Sequence, residues 1–321
     1  MTNFKGHKSL NEIPIFFSTD SNYLPYLEVA IRSLKANASK DYKYRIVILN
    51  TGLDREKTDK YKQLNDDNFI IDFVDVSHAV EDIQHKLRNI YHFGLASYYR
   101  LFIENLFPEY DKILYLDCDI IVLGDISQLY YTDMEDKAIC GVVENWILHS
   151  PIFSKYTKEA VGVDSKYYIN SGIMLMNLDK LRKMRVEEKF EELINTYNFD
   201  VIDPDQAYIN YLCQGQIKYL PYSWNRTPLE TVACDNPYII HYALGEKPWQ
   251  NKDVFLGEYF WKYAKESAFY DEIMQALNNF DTIAKLKKQK AGIEIQIQAL
   301  EYAQSKNTFY KVLKDSRQYL D

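Results

Sequence analysis

The stretch that does most to decide the fold is residues 113–122, which read ILYLDCDIIV. Its two apolar runs are typical of buried strands, and between them stand Asp117 and Asp119, two carboxylates one residue apart. Carboxylates this close repel each other, and burial raises the cost of their charges. A divalent cation relieves both penalties, and hard oxygen ligands suit Mg²⁺ or Mn²⁺. The stretch therefore predicts a metal ion that carries a diphosphate, although an isolated Asp-x-Asp at a strand end is more often a turn or a cap.

Composition restricts the class of protein. The chain has 321 residues, of which 47% are apolar and 26% charged, as is typical of a globular protein. Its net charge of −8 argues against nucleic acid as a partner, because that binding needs a basic surface. No apolar run approaches the roughly 20 residues that span a bilayer, and residues 1–12 lack the apolar part of a secretory signal. Four scattered cysteines predict free thiols in a reducing compartment, so we expect a cytoplasmic protein.

The order of predicted elements indicates an α/β fold. Strands over residues 13–18, 44–49 and 69–76 alternate with helical patterns, which predicts right-handed crossovers and a parallel sheet covered by helices on both faces. From residue 254 onward the pattern is helical. Further strands are expected at 138–143, 167–177, 217–220 and 238–242, and further helices at 95–107, 178–198 and 204–213.

The glycines exclude several nucleotide-binding classes. No two of the eleven glycines are closer together than Gly162 and Gly172, so the chain has neither a Gly-x-Gly-x-x-Gly motif nor a Walker loop. This argues against dehydrogenases, kinases and P-loop enzymes. A nucleotide would then have its phosphates held by a metal ion together with Arg or Lys.

Polar residues follow the first strand directly, from Ser18 onward. Because ligands bind outside the carboxyl ends of strands in an open α/β sheet, Asp20 could accept from a base or ribose, Asn22 could read an edge, and Tyr23 could stack. Capping of the next helix explains the same residues equally well.

Two further features stand out on apolar segments. Arg100 lies within an otherwise apolar helical pattern, where a buried Arg would need Asp117 or a phosphate as partner, and where an exposed Arg is equally plausible. Asn170, Ser171 and Gly172 interrupt a predicted strand, and this break favours either the close approach of a ligand or a simple bulge.

The segment around residue 204 predicts a helix start. Pro204 suits the first turn and Asp203 the cap, which puts Asp205 and Gln206 at the positive end of the helix. These two side chains would face a sugar there, or would only stabilise the helix dipole.

The segment IIHYALGEKPW at residues 239–249 adds two groups. His241, at the end of an apolar strand, would complete a two-Asp, one-His ligand set acceptable to Mn²⁺, although such a His is more often structural. Lys247, six residues later, would supply a point charge for phosphate.

In this order, the segments STDSNY, YYRL, LYLDCD, NSG, DQ and HYxxxxKPW resemble glycosyltransferase family 8. This family comprises metal-dependent, retaining enzymes of the GT-A fold, among them bacterial lipooligosaccharide galactosyltransferases and glycogenins. The resemblance covers roughly residues 13–249. It implies that Asp117, Asp119 and His241 bind Mn²⁺ and that His92 contacts the acceptor. The implied nucleotide contacts are Ser18, Asp20, Asn22, Tyr23 and Lys247. The implied donor-sugar contacts are Arg100, Asp117, Asn170, Ser171, Gly172, Asp205 and Gln206, of which Asp205 and Gln206 would also be catalytic.

The resemblance also implies an activity. A hexose, galactose or glucose, would pass from a UDP-hexose to a glycan, glycolipid or glycoprotein with retention, with Mn²⁺ as the cofactor and Mg²⁺ as the alternative ion. Two positions depart from the family pattern: Ala207 replaces a frequent Asp, and Leu244 stands where Gly is usual. The competing interpretations are a non-catalytic protein that binds UDP-sugar or glycan, and a sugar-1-phosphate nucleotidyltransferase, which would need a glycine-rich loop.

We predict a GT-A-type, Rossmann-like catalytic domain at 1–250 and a helical extension at 251–321. Residues 279–321 contain eight basic and five acidic residues, against the negative balance of the rest. An amphipathic helix or hairpin is expected here, which could attach to the inner face of a membrane, pack against a second copy, or remain solvated. Its apolar positions are Ile283, Leu286, Ile293, Ile297 and Leu300.

Overall fold

A computed structural model describes residues 11–87, 94–245 and 247–314 of the chain. Within these ranges the strands occur in two sheets, and nearly all lie where the sequence predicts them. The strands are β1 (Glu12–Ser18), β2 (Lys43–Asn50), β3 (Phe69–Asp75), β4 (Lys112–Leu116), β5 (Ile120–Val122), β6 (Ile139–Val143), β7 (Ile169–Asn177), β8 (Ile217–Tyr219) and β9 (Ile239–His241).

The central sheet has the order β3-β2-β1-β4-β7-β6-β8, and β5 pairs separately with β9. The first four strands are parallel and confirm the predicted α/β, Rossmann-like fold. The parallel arrangement predicted from the strands at 13–18, 44–49 and 69–76 is confirmed, whereas β7 runs antiparallel to both β4 and β6. The first residues of β7 consequently lie at the same sheet edge as the carboxyl ends of β1 and β4.

Alternating side chains on the central strands build a core on each face of the sheet. On β4, Tyr115 enters one apolar cluster whereas Leu114 and Leu116 enter the other. The same alternation separates Phe16 from Phe17 on β1. Strands buried on both faces are expected where helices cover a sheet from both sides.

The helices differ from the sequence prediction at two places. Residues 95–107 form a 3₁₀ helix (Leu95–Leu101) and one short α-helix, and residues 178–198 are divided by Arg185, which has a left-handed φ of 57°. The α-helices are α1 (Leu24–Asn37), α2 (Arg55–Asp59), α3 (Ser77–Val80), α4 (Ile103–Leu106), α5 (Ser127–Tyr130), α6 (Asn145–Leu148), α7 (Pro151–Tyr156), α8 (Leu178–Met184), α9 (Val186–Thr196), α10 (Pro204–Leu212), α11 (Gly257–Ala264), α12 (Tyr270–Asn279), α13 (Thr282–Gln304) and α14 (Phe309–Leu313).

The C-terminal helices pack on the rest of the protein. Helices α11 and α12 contact α1, and α13 contacts α7. Phe260 of α11 and Phe309 of α14 belong to the two large clusters and not to a core of their own. The domain division at residue 250 stays a prediction.

Two expectations from composition can be compared with the structure. All four cysteines are free thiols, as expected. Among the described residues, no helix combines the length and the apolar content needed to cross a bilayer.

Candidate active site

A cavity of about 450 Å³ opens at the carboxyl edge of β1 and β4. The loop between β4 and β5, the start of β7, the start of α10 and the end of β9 all contribute to its wall. Most residues singled out from the sequence meet here. Those that line the cavity are Ser18, Asp20, Tyr23, Arg100, Asp117, Asp119, Asn170, Ser171, Asp205, Gln206, His241 and Lys247.

Asp117, Asp119 and His241 form a three-residue cluster whose ligand atoms all lie within 4.8 Å of one another. The pairing of β5 with β9 sets Ile120 opposite His241, which brings the histidine to the carboxylates. Nε2 of His241 is 3.1 Å from Oδ1 of Asp119 and 3.6 Å from Oδ2 of Asp117. Two carboxylate oxygens and one imidazole nitrogen make a donor set that suits Mn²⁺ or Mg²⁺.

Gly172 leaves space for this cluster. Its carbonyl accepts a hydrogen bond of 2.7 Å from the backbone N–H of Asp117. A Cβ at position 172 would lie 2.4 Å from Oδ2 of Asp117 and 2.5 Å from Cε1 of His241. Only glycine therefore allows both side chains to approach the strand. Pairing also slips here, since Gly141 lies opposite Met174 but Val143 opposite Ile169, so the predicted bulge is confirmed, while the close approach of a ligand stays a prediction.

Lys247 contacts the cluster through Asp119. Its Nζ lies 2.5 Å from Oδ2 of Asp119 and also donates to the carbonyl of Tyr242. Burial raises the pKa of Asp119, but the charges of Lys247 and His241 outweigh it and hold that pKa below its ordinary value. The buried Lys247 is thus positioned beside the cluster, where an incoming anion would meet it.

A series of side-chain hydrogen bonds starts at Nδ1 of His241 and was not predicted from the sequence. Oδ1 of Asn225 lies 3.0 Å from Nδ1 of His241, and Nδ2 of Asn225 donates to Oδ1 of Asn170 at 2.9 Å. Nδ2 of Asn170 in turn donates to Glu144, a fully buried carboxyl whose pKa is raised by burial. No motif marks Asn225 or Glu144; Glu144 directly follows the apolar run at 138–143, and Asn225 has no comparable sequence signal.

Arg100 is buried and paired, which decides between its two interpretations. Its guanidinium donates to Oδ1 of Asp117 at 2.8 Å and lies 3.2 Å from Oδ2 of Asp205. It also donates to the carbonyl of Ser171 at 2.6 Å and stacks on the ring of Tyr115. Burial by itself would lower the pKa of Arg100. The negative charges of Asp117 and Asp205 outweigh this effect, so the pKa is raised above its ordinary value and the guanidinium stays charged.

The start of α10 corrects the predicted role of Asp203. Its side chain makes no cap hydrogen bond; it accepts from Tyr156 and Tyr168, and burial raises its pKa to about 7. Nε2 of Gln206 donates to Asp203 at 3.3 Å, and Oε1 of Gln206 accepts from the N–H of Ser171 at 3.0 Å. Both ends of the Gln206 amide are therefore held.

Both a hydrogen bond and an ion pair hold the side chain of Asp205. Oγ of Ser171 donates to Oδ2 of Asp205 at 2.8 Å, in addition to the Arg100 ion pair. Ala207, the departure noted in the sequence, is fully buried in an apolar cluster and does not line the cavity.

The end of β1 forms a turn that borders the cavity, and α1 has no side-chain cap hydrogen bond, so the capping interpretation was wrong. Oδ1 of Asp20 accepts from the N–H groups of Asn22 and Tyr23, which closes the turn before α1. Asp20 and Tyr23 also line the cavity, whereas Asn22 is exposed and does not. The predicted acceptor residue His92 lies outside the described residues.

One wall of the cavity comes from helix α13, which no motif indicates, and from the loop within the HYxxxxKPW segment. Helix α13 contributes Lys288 and Ile295, and Nζ of Lys288 donates to Oε1 of Gln250. The loop after β9 contributes Leu244 and Gly245, both with left-handed φ values, of 50° and 54°. A non-glycine residue is strained in that conformation, so Leu244 keeps the backbone shape that glycine would adopt without strain.

Comparison with known proteins agrees with this geometry. General stress protein A of Bacillus subtilis is 29% identical over 273 residues, which are 75% of this chain and 89% of the relative. The lipopolysaccharide 1,2-glucosyltransferase of Escherichia coli K12 is 24% identical over 220 residues, 63% of this chain and 62% of the relative.

Two solved structures share the fold. The galactosyltransferase LgtC in complex with donor and acceptor sugar analogues superposes with a TM-score of 0.67 at 24% identity, over 80% of this chain and 96% of that one. The bifunctional glycosyltransferase WbbM superposes with a TM-score of 0.72 at 21% identity, over 84% of this chain and 52% of that one. These neighbours identify the architecture as the GT-A fold.

The family assignment rests on the sequence profile that matches most of the chain. That profile, described as Glycosyl transferase family 8, covers residues 14–253 and so includes every element that contributes to the cluster of Asp117, Asp119 and His241. On this match, and in agreement with the fold and the predicted resemblance, the chain belongs to glycosyl transferase family 8.

Proposed function

We propose that this protein is a retaining hexosyltransferase that moves galactose or glucose from a UDP-hexose to a carbohydrate or glycoconjugate acceptor, with Mn²⁺ as its cofactor. The observation that carries the proposal is the cluster of Asp117, Asp119 and His241 beside Lys247 in one cavity. Carboxylates, imidazole and an ammonium together suit a divalent cation bound to a diphosphate.

The residues present fit such an ion. Gly172 leaves the space in which Asp117 and His241 approach each other, and Asn225 holds His241 by Nδ1 so that Nε2 faces the carboxylates. Asp117, Asp119 and His241 would hold the cation, and Mg²⁺ is the alternative ion. When bound, a divalent cation neutralises the charge that develops on a leaving diphosphate.

The donor would extend from the end of β1 to the start of α10. Asp20 and Tyr23 would hold the uridine, with Ser18 beside them, and the N–H groups that Asp20 accepts keep its carboxylate in place. Lys247 would exchange its contact with Asp119 for one with the diphosphate. Asn22 is exposed and does not line the cavity, so its predicted contact with the base is not part of this proposal.

The hexose would lie against Arg100, Asn170, Ser171 and Asp205. Arg100 links the two acidic residues of this region, because its guanidinium forms ion pairs with both Asp117 and Asp205. Its rigid fork keeps two carboxylates at fixed positions without leaving either charge unpaired.

For the transfer step we favour front-face attack. A covalent route would need a free carboxylate beneath the anomeric carbon, by analogy with retaining glycosidases. Asp205 is committed to Arg100 and Ser171, and Gln206 is an amide. In the proposed step the bond from the anomeric carbon to the phosphate oxygen breaks, the acceptor hydroxyl oxygen bonds to that carbon on the same face, and its proton passes to a phosphate oxygen of the leaving UDP.

The acceptor class is proposed from the relatives. One acts, by its name, on lipopolysaccharide, and LgtC binds an acceptor sugar analogue. We therefore propose a bacterial cell-surface glycan or glycolipid as acceptor, and a cytoplasmic site of action at the inner face of the membrane.

The test is UDP release by purified protein from a panel of UDP-sugars, with and without Mn²⁺. We expect release from UDP-galactose or UDP-glucose that requires Mn²⁺ and that Asp117→Ala abolishes, whereas Asp67→Ala, which changes an exposed carboxylate, retains it. If UDP binds with Mn²⁺ but no hexose is transferred to any carbohydrate acceptor tested, the protein is a binding protein and the enzymatic proposal fails.

The stereochemical part has its own test. NMR of the product anomer distinguishes retention from inversion, and mass spectrometry of the enzyme trapped with a slow donor searches for a glycosyl adduct. A β-linked product from an α-linked donor would exclude retention, and an adduct on Asp205 would exclude front-face attack.

A further inference from the structure

Helix α13 is apolar on two opposite faces. On the side towards the protein, Ala299 and Ala303 are buried, and Ile295 and Tyr302 pack against an apolar cluster. On the side towards solvent, five large apolar side chains remain between 36% and 62% exposed. A surface helix normally carries one apolar stripe facing the core, so the second stripe needs another explanation. It consists of Ile283, Leu286, Ile293, Ile297 and Leu300.

The second stripe follows a heptad pattern. Its members recur at intervals of three, seven, four and three residues. The interval of seven spans one further heptad position, four residues after Leu286, and Lys290 occupies it. These are the a and d positions of a coiled-coil seam, with a single polar residue of the kind that specifies register. At 1.5 Å per residue the stripe is roughly 26 Å long.

Charges beside the second stripe are segregated along the helix. Lys287, Glu294 and Glu301 follow one another at seven-residue intervals on one flank, basic near the start of α13 and acidic towards its end. In a parallel pair this flank would face the opposite flank of the neighbour, where Gln289 and Gln296 offer no charge, whereas an antiparallel pair sets Lys287 beside glutamates. The charge pattern therefore favours self-pairing in the antiparallel direction.

We propose that α13 forms a two-fold, antiparallel helix contact with a second copy of this chain. One register aligns the whole stripe: Ile283 meets Leu300 of the partner subunit, and Leu286 meets Ile297 of the partner subunit. Lys290 then lies across from Ile293 of the partner subunit and next to Glu294 of the partner subunit. Such a contact is isologous, so it closes at a dimer.

A membrane surface explains the stripe less well. Helices that lie on anionic membranes carry Lys and Arg along their flanks, whereas Glu294 and Glu301 flank the second half of this stripe.

A single helix pair gives an interface at the small end of the range for specific complexes, so we expect dissociation constants on the order of micromolar. Because the opposite face of α13 lines the cavity, the dimer would also hold one wall of the candidate active site.

The first test is sedimentation velocity of the full chain from about 1 to about 200 µM, a range that brackets micromolar affinity. We expect the mass to rise with concentration from 38.0 kDa to twice that value, and Ile297→Glu to remain monomeric throughout. Ile70→Glu is the matched control, because Ile70 is 40% exposed on the edge strand β3, and it should dimerise normally. A monomer at all concentrations, or equal loss in both variants, would overturn the proposal.

Cysteine cross-linking in a Cys234→Ser background tests the register, using diamide as the oxidant. The combination of Leu286→Cys with Ile297→Cys should give a covalent dimer, whereas Leu286→Cys alone should not. Efficient cross-linking by the single variant would indicate a parallel contact and contradict the antiparallel register. Binding of a strictly monomeric protein to vesicles with about a third anionic lipid, lost in Ile297→Glu, would show that a membrane occupies the stripe instead.

Discussion

The side-chain oxygen of Asn225 lies 3.0 Å from Nδ1 of His241, and this contact determines which imidazole nitrogen faces the two carboxylates. Oδ1 of Asn170 accepts from the backbone N–H of Gly172, which can only donate. The same oxygen therefore accepts from the NH₂ of Asn225, and Oδ1 of Asn225 must accept from His241. With Nδ1 bonded to Asn225, Nε2 is the imidazole nitrogen that faces Asp117 and Asp119.

This arrangement predicts that Asn225 contributes to metal affinity without touching the metal. We expect Asn225→Ala to weaken Mn²⁺ binding by about 10–100-fold, because the imidazole loses the partner that orients it. Mn²⁺ titration in the presence of UDP, by calorimetry or electron paramagnetic resonance, measures the change.

Asn37→Ala is the matched control for Asn225. Nδ2 of Asn37 lies within 3.0 Å of oxygens of Ser33, Val122 and Tyr263, and Asn37 does not line the cavity, so its removal should reduce stability but leave Mn²⁺ affinity unchanged. Equal Mn²⁺ affinity in the wild type and Asn225→Ala would show that the orientation of His241 does not depend on Asn225.

Gly172 is expected to be irreplaceable for a steric reason. In Gly172→Ala the new Cβ would lie 2.4 Å from Oδ2 of Asp117, so the carboxylate or the strand must move. We expect Mn²⁺ affinity to fall at least tenfold while far-ultraviolet circular dichroism stays unchanged. Gly292→Ala, where a Cβ meets nothing within 4 Å, should keep full affinity and gain about 0.5–1 kcal/mol in the free energy of unfolding, as expected for Ala in a helix. Normal Mn²⁺ binding by Gly172→Ala would contradict the steric argument.

Two neighbouring carboxyls predict how stability depends on pH. Burial raises the pKa of Glu104 to about 7, and burial together with the charge of Glu104 raises that of Glu187 to about 8. Because both values lie above the ordinary 4.5, the stabilising contribution is full below about pH 4.5 and is lost as pH rises through 7 and 8.

Glu187→Gln should remove most of this loss. We expect the variant to match the wild type at pH 5 and to exceed it at pH 8.5 by about 1–2 kcal/mol in the free energy of unfolding, since one buried charge is gone. Urea unfolding at both pH values measures it, with the exposed Glu56→Gln as control. A pH-independent difference would mean that the carboxyl pair does not titrate as described.

The left-handed backbone of Arg185, at the junction of α8 and α9, predicts that glycine would stabilise the protein there. Its left-handed φ of 57° costs about 1–2 kcal/mol for a residue with a side chain. Arg185→Gly should therefore gain about 0.5–1 kcal/mol in the free energy of unfolding, after the flexibility of glycine in the unfolded chain is counted. Lys183→Gly, within α8, should lose about 1 kcal/mol, and a loss in both variants would contradict the strain at Arg185.

The sequence by itself determined the α/β class and most of the candidate site. Local apolar periodicity located β1, β2, β3 and β4, and the carboxyl ends of parallel strands share one edge of a sheet, so residues just after them had to meet. Asp117 and Asp119 were found because two adjacent carboxylates need compensation that the chain must supply elsewhere. His241 and Lys247 followed from the same requirement and from the family resemblance.

Only the tertiary structure decided the rest, because it depends on contacts between residues distant in the chain. The antiparallel insertion of β7 brings Gly172 to Asp117 across 55 positions, and no local pattern encodes a strand's neighbour. Asn225 and Glu144 act through partners that are brought to them by other strands. The apolar positions of α13 were visible as a stripe, but which of its two faces would meet the protein was decided by the small residues Ala299 and Ala303, which allow the helix to approach closely.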